Sequence, residues 1–136
     1  MRANKTLVIH CSATPEGKPF TVKDVDRWHR ERGWAGVGYH YIIRLDGVVE
    51  KGRAESVPGA HVSGHNFDTL GICYIGGVDT AGKPKDTRTP AQKAAMRKLI
   101  DKLLEKYPGA KVCGHRDFPG VAKACPSFDV AAWLAE

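Results

Sequence analysis

Gly38-Tyr39-His40-Tyr41-Ile42-Ile43-Arg44-Leu45-Asp46-Gly47-Val48-Val49-Glu50-Lys51 is the stretch on which the fold turns. Two strand-prone runs, 38–44 and 48–51, flank Asp46-Gly47. That dipeptide favours the tight turn of an antiparallel hairpin. The rest of the chain alternates short strands with helices, so the hairpin makes one part of an α/β sheet antiparallel. Helices separated by strands favour packing on both faces of a sheet. The expected fold is α/β: a single domain with a mixed central β-sheet of about five strands flanked by helices.

Outward from the hairpin, Thr6 to Cys11 reads as a buried strand, residues 69–75 as a second one closed by Gly76-Gly77, and residues 110–115 as the last. Thr21-Val22-Lys23-Asp24 opens a helix with a capping pattern in which Asp replaces the usual Glu. Val22, Val25 and Trp28 keep helical spacing until Gly33. Thr89-Pro90-Ala91-Gln92 starts another helix, with Pro at the first helical position. Its apolar positions Ala95, Leu99, Ile100, Leu103, Leu104 and Tyr107 continue to the stop at Pro108-Gly109. Ser127 or Asp129 caps a short last helix through Trp133 and Leu134. Residues 12–20, 52–68 and 116–127 are irregular and longer than ordinary connections, as functional loops often are.

The chain of 136 residues has the size of one domain, so residues 1–136 are expected to form a single domain with no second module. No apolar run approaches the roughly 20 residues that span a bilayer. The basic start, Met1 to Lys5, precedes too short an apolar run for a signal peptide, so synthesis in the cytoplasm without membrane insertion is expected. A net charge of +6 favours polyanions such as nucleic acid, anionic lipid or wall polymer. The lysines and arginines are dispersed, and no motif singles out nucleic acid. A monomer is expected. Without a signal, the four cysteines Cys11, Cys73, Cys113 and Cys125 are read as thiols.

Chemistry concentrates in Gly114-His115-Arg116-Asp117-Phe118-Pro119-Gly120-Val121-Ala122-Lys123-Ala124-Cys125-Pro126. Far upstream, His10 ends the apolar run Leu7-Val8-Ile9, at the strand end where ligand sites gather in open α/β sheets. Two imidazoles and one thiolate suit zinc, and three protein ligands leave the fourth position to water. Lys123 is placed to stabilise charge that develops beside the metal. Strand alternation points Cys11 away from His10. Cys113 alternates with His115 and offers itself as a ligand in place of Cys125, although Cys125 has the freedom of a loop. His61 and His65 have a spacing that suits a metal pair or, among Gly and Ser, substrate contacts. A surface or boundary role fits His29.

His10-Cys11-Ser12-Ala13-Thr14, Val37-Gly38-Tyr39-His40-Tyr41-Ile42-Ile43, Gly59-Ala60-His61, Gly71-Ile72-Cys73, Thr89-Pro90-Ala91-Gln92 and Lys123-Ala124-Cys125-Pro126-Ser127-Phe128-Asp129 occur in this order. Together they resemble the zinc-dependent N-acetylmuramoyl-L-alanine amidases of the phage T-seven lysozyme type, endolysins related to the peptidoglycan recognition proteins. The likeness runs from about residue 6 to residue 134. It implies the mixed sheet and one Zn2+ per chain at the mouth of a cleft. By motif position it implies metal ligation by His10, His115 and Cys125, with Tyr39 and Lys123 needed for activity. Cys11 and Cys113 then fall back to core positions, and Asp117 matches no assigned role.

The reaction implied is hydrolysis of the amide between the lactyl group of N-acetylmuramic acid and L-alanine, with peptidoglycan as partner and Lys123 steadying the oxyanion. No carboxylate stands out as general base. His61 and Asn66, in a loop of small residues, are expected to contact substrate. A fourth protein ligand would block the water position, which sets His61 apart from the metal. The rival readings are a cytosolic muropeptide-recycling amidase, a non-catalytic peptidoglycan-binding module and a polymerase-regulating protein on the same fold. An endolysin would reach the wall through a separate pore.

Overall fold

The computed structural model describes residues 4–121 and 123–136. Its strands are β1 (Thr6–Cys11), β2 (Thr14–Pro15), β3 (Tyr41–Ile43), β4 (Val49–Lys51), β5 (Thr69–Tyr74), β6 (Gly77–Val78) and β7 (Lys111–Gly114). Its helices are α1 (Val22–Glu31), α2 (Pro90–Lys106) and α3 (Val130–Leu134). The main sheet has five strands in the order β4-β3-β5-β1-β7. β3 and β4 are antiparallel, and β1, β3, β5 and β7 run parallel, so the sheet is mixed as the hairpin requires.

The hairpin forms around Asp46-Gly47, where the Gly47 N–H donates to the Arg44 carbonyl at 2.9 Å and the Arg44 N–H to the Val48 carbonyl at 3.0 Å. Its first strand is shorter than the sequence suggests. The Gly38 N–H turns away from a ladder and donates to His29 Nδ1 at 2.8 Å. That bond also corrects the place of His29, which is buried rather than at the surface. Burial, followed by the charges of Arg32 and Arg53, brings the His29 imidazole down to about 4.

Alternation along β1 and β5 divides the core in two. Leu7, Ile9, Leu70, Ile72 and Tyr74 meet Met96, Ile100 and Leu103 of α2, together with Phe128 and Val130. On the other face Ile42 and Cys73 meet Val25 of α1. Both caps needed for the longer helices are present. Asp24 Oδ2 accepts from the Thr21 N–H at 2.8 Å, and Thr89 Oγ1 accepts from the Gln92 N–H at 3.0 Å. Of the two candidate caps for α3, Asp129 serves, accepting from the Ala132 N–H at 3.0 Å, whereas the Ser127 hydroxyl donates to the Gly77 carbonyl at 2.8 Å. A second sheet of two strands, β2 and β6, is an element that the sequence pattern does not signal. Among the described residues no helix is long and apolar enough to cross a membrane.

Candidate metal centre

His10 lies near the end of β1, and alternation puts it on the face opposite Leu7, Ile9 and Cys11. His115 follows β7 directly and opens a 3-10 turn, His115–Asp117. Asp117 closes that turn, its Oδ2 accepting from the Gly114 N–H at 2.7 Å. This gives Asp117 a structural task that its motif position left undefined. Cys125 arrives on the last irregular stretch, held by three bonds. The Arg116 N–H donates to the Cys125 carbonyl at 2.8 Å, the Tyr74 hydroxyl to the Pro126 carbonyl at 2.6 Å, and the Ser127 hydroxyl to Gly77.

These elements bring one potential ligand atom each from His10, His115 and Cys125 within 4.8 Å of one another. His10 Nδ1 faces Cys125 Sγ at 3.8 Å, and the rings of His10 and His115 are 4.6 Å apart. Cys113 does not belong to this group, and burial raises its thiol to about 11. The Cys11 backbone N–H donates to Cys125 Sγ at 3.3 Å, a contact that favours negative charge on that sulfur.

The donor set fits a soft-to-borderline divalent cation such as zinc. Burial, then the His61, His115 and Lys123 charges, hold the His10 imidazole well below its ordinary range. Burial and Lys123 lower His115 too. Both rings are therefore neutral, the form that a metal ligand must take. In the protein alone, the hydrogen bond with the Cys11 thiol and burial push the Cys125 thiol up. The thiolate belongs to a state with a cation beside it.

The Tyr39 ring lies 5.0 Å from that of His10. Burial, then neighbouring cysteines, raise its phenol well above the ordinary value, so Tyr39 keeps its proton at neutral pH. Lys123 is exposed beside the group, and its charge acts on both histidines. The two residues expected to touch substrate are placed differently. His61 is 9% exposed, and its Nδ1 lies 2.9 Å from His10 Nε2, on the inner side of that ring. Asn66 Oδ1 accepts from the His61 and Val62 N–H groups at 2.9 Å each, so it shapes its own loop. His65 is exposed and packs on Phe118 at 4.9 Å between ring centres. Thr69, whose hydroxyl lies 3.2 Å from His61 Nε2, was not marked by sequence reasoning, because a threonine at the start of a buried strand is ordinary. A groove of about 840 Å³ lies between the sheet and α2, lined by Tyr41, Val49, Glu55, Leu99 and Leu103 among others. It contains none of these residues, and donor chemistry rather than cavity size marks the site.

A trio of two histidines and a cysteine, on a mixed sheet with helices on both faces, is a donor set of the kind that metal-dependent hydrolases carry. The N-acetylmuramoyl-L-alanine amidase family matches residues 1–128, and the chain belongs to that family. It is 45% identical over 127 residues to the endolysin of Klebsiella phage KP32, covering 93% of this chain and 83% of that one. The endolysin of Escherichia phage T7 is 44% identical over 127 residues, with the same coverage. Among solved structures, the N-acetylmuramoyl-L-alanine amidase LysC from Clostridium intestinale URNW superposes with a TM-score of 0.83 at 29% identity, over 98% of this chain and 85% of that chain. Drosophila PGRP-LB gives 0.81 at 27% identity, over 100% and 82%. The chain is an amidase that hydrolyses the bond between N-acetylmuramic acid and L-alanine in peptidoglycan.

Proposed function

We propose that this amidase is a zinc enzyme with His10, His115 and Cys125 as ligands, and that it works as an endolysin on the intact wall. The observation that supports the ligand set is the approach of three donors of the right types, from opposite ends of the chain, to within 4.8 Å. When bound, zinc supplies Lewis acidity towards the carbonyl and lowers the pKa of water towards about 7.

The chain's own residues do the rest. The buried, neutral imidazole of His10 and the half-buried one of His115 present lone pairs rather than protons. The Cys11 N–H steadies charge on Cys125 Sγ. Lys123 is an exposed point charge on a flexible stem, suited to the oxyanion that forms as the amide carbon becomes tetrahedral. Tyr39, kept protonated 5.0 Å from the His10 ring, is not the base. As an endolysin the protein is made in the cytoplasm, acts as a monomer, and meets its substrate after a separate protein opens the membrane. A net charge of +6 suits a polyanionic wall better than a small soluble muropeptide.

The test combines metal analysis with product analysis. Wild-type protein and Cys113→Ser should carry one zinc per chain and lose activity to a chelator, while Cys125→Ser should carry none. Mass spectrometry of digests of intact sacculi and of soluble anhydro-muropeptide separates wall lysis from recycling. Zinc and activity retained in Cys125→Ser would overturn the ligand set. Faster turnover of the soluble substrate would overturn the endolysin role.

A further inference from the structure

Behind His10 runs a chain of hydrogen bonds that ends on a backbone carbonyl. His10 Nε2 lies 2.9 Å from His61 Nδ1. His61 Nε2 lies 3.2 Å from Thr69 Oγ1. The Thr69 hydroxyl donates to the His65 carbonyl at 2.7 Å.

For two neutral imidazoles the protons on this chain have one consistent arrangement. A carbonyl oxygen only accepts, so the single Thr69 proton goes to His65. The Thr69 oxygen then accepts from His61, which must carry its proton on Nε2. His61 Nδ1 is left with a lone pair, and His10 donates to it through Nε2–H. His10 Nδ1 is therefore unprotonated, and Nδ1 is the atom that faces Cys125 Sγ at 3.8 Å. A backbone carbonyl three groups away thus determines which nitrogen of His10 is available.

We propose that His61, backed by Thr69 and the His65 carbonyl, is a positioning residue that locks His10 in the tautomer presenting Nδ1 to the metal. This rests on the zinc reading above and replaces a substrate contact for His61. The niche around the ring agrees with that role. A Cβ on Gly71 would stand 2.8 Å from His61 Cγ, and one on Gly59 2.6 Å from His61 Cδ2, so both positions need glycine for the ring to fit. Thr69 and Gly71 alternate along β5 on the His61 side, beside β1, where Gly71 pairs with Val8 and Cys73 with His10. Asn66 holds the His61 backbone from the other side. Loss of such an outer partner typically weakens metal binding about 10- to 100-fold.

The experiment measures zinc dissociation constants by competition with a chromophoric chelator at neutral pH, in wild type, His61→Leu, His61→Gln and Thr69→Val. Nitrogen-15 NMR of the metal-free proteins reads the His10 tautomer directly. His61→Leu should bind zinc about 10- to 100-fold more weakly. His61→Gln should recover most of that, because its amide accepts from His10 and donates to Thr69. Thr69→Val, nearly isosteric, should show both His10 tautomers and an intermediate zinc affinity. The KM for peptidoglycan at saturating zinc should stay at the wild-type value in all three. Zinc bound equally well by wild type, His61→Leu and Thr69→Val overturns the proposal, as does a proton on His10 Nδ1 in the wild type. A raised KM with unchanged zinc affinity in His61→Gln overturns it too, in favour of substrate contact. If His61→Leu does not fold, Thr69→Val and the wild-type spectrum decide. A wild type that binds no zinc sinks the zinc reading instead, and the spectrum still decides the tautomer.

Discussion

Lys123 separates chemistry from folding most cleanly, because it is exposed and its charge acts on His10 and His115. Lys123→Ala should keep its zinc and its melting temperature yet lose turnover. Removing one donor to an oxyanion costs on the order of a hundred- to a thousandfold in kcat. More than about a tenth of wild-type turnover would remove Lys123 from that role, since this loss is far below the usual range. The residue types of the candidate centre were legible in the sequence, since two histidines and a cysteine with a lysine between are rare company. The choice between Cys113 and Cys125 was not legible from spacing. Cys113 belongs to the regular part of β7, beside Val8, while Cys125 is carried back to the Cys11 N–H by a loop whose path no local pattern encodes.

At the scale of elements, β5 carries the sharpest test. Gly71 is not in a turn. It is the point where the strand backbone gives way to the His61 ring. Gly71→Ala should displace that ring, lowering stability by about 1–3 kcal/mol in urea titration, as overpacking does. It should also weaken zinc binding by chelator competition. Unchanged zinc affinity in a destabilised variant would limit the glycine to packing. The hairpin, the two long helices and the central strands could be read beforehand because their signals are local: Asp46-Gly47, the caps at Thr21 and Thr89, and the periodic apolar positions of α2. The pairing of β2 with β6 could not, because strands of two residues have no period and theirs is a non-local partnership. The inward place of His61 was hidden for a similar reason. The loop around it is irregular, and the space that Gly59 and Gly71 leave for it exists only after folding.

The whole molecule is also tied together away from the centre. Glu55 accepts from Tyr107 at 2.6 Å and from Lys106 at 2.8 Å, and bonds the Tyr41 hydroxyl, joining the loop after β4 to the end of α2. Burial alone would raise this carboxyl, but hydrogen bonds from Lys106, Tyr107 and Tyr41 outweigh it and bring it from 4.5 down to about 2. A depressed folded-state value means that the unfolded chain takes up the proton first. The stabilisation is therefore complete above pH 4.5 and disappears as the pH falls towards 2. Melting temperatures across that window should fall less steeply in Glu55→Gln than in wild type, and identical slopes would show that this carboxylate does not couple to folding. The sheet order has a further effect. β1 is made first, yet it lies between β5 and β7, and its His10 meets partners at positions 115 and 125. A ribosome that stalls anywhere before Cys125 releases a polypeptide lacking at least one of the three donors. Fragments from interrupted synthesis therefore lack the complete donor set of the proposed zinc site, which assembles only once residues 10 to 125 have all been made.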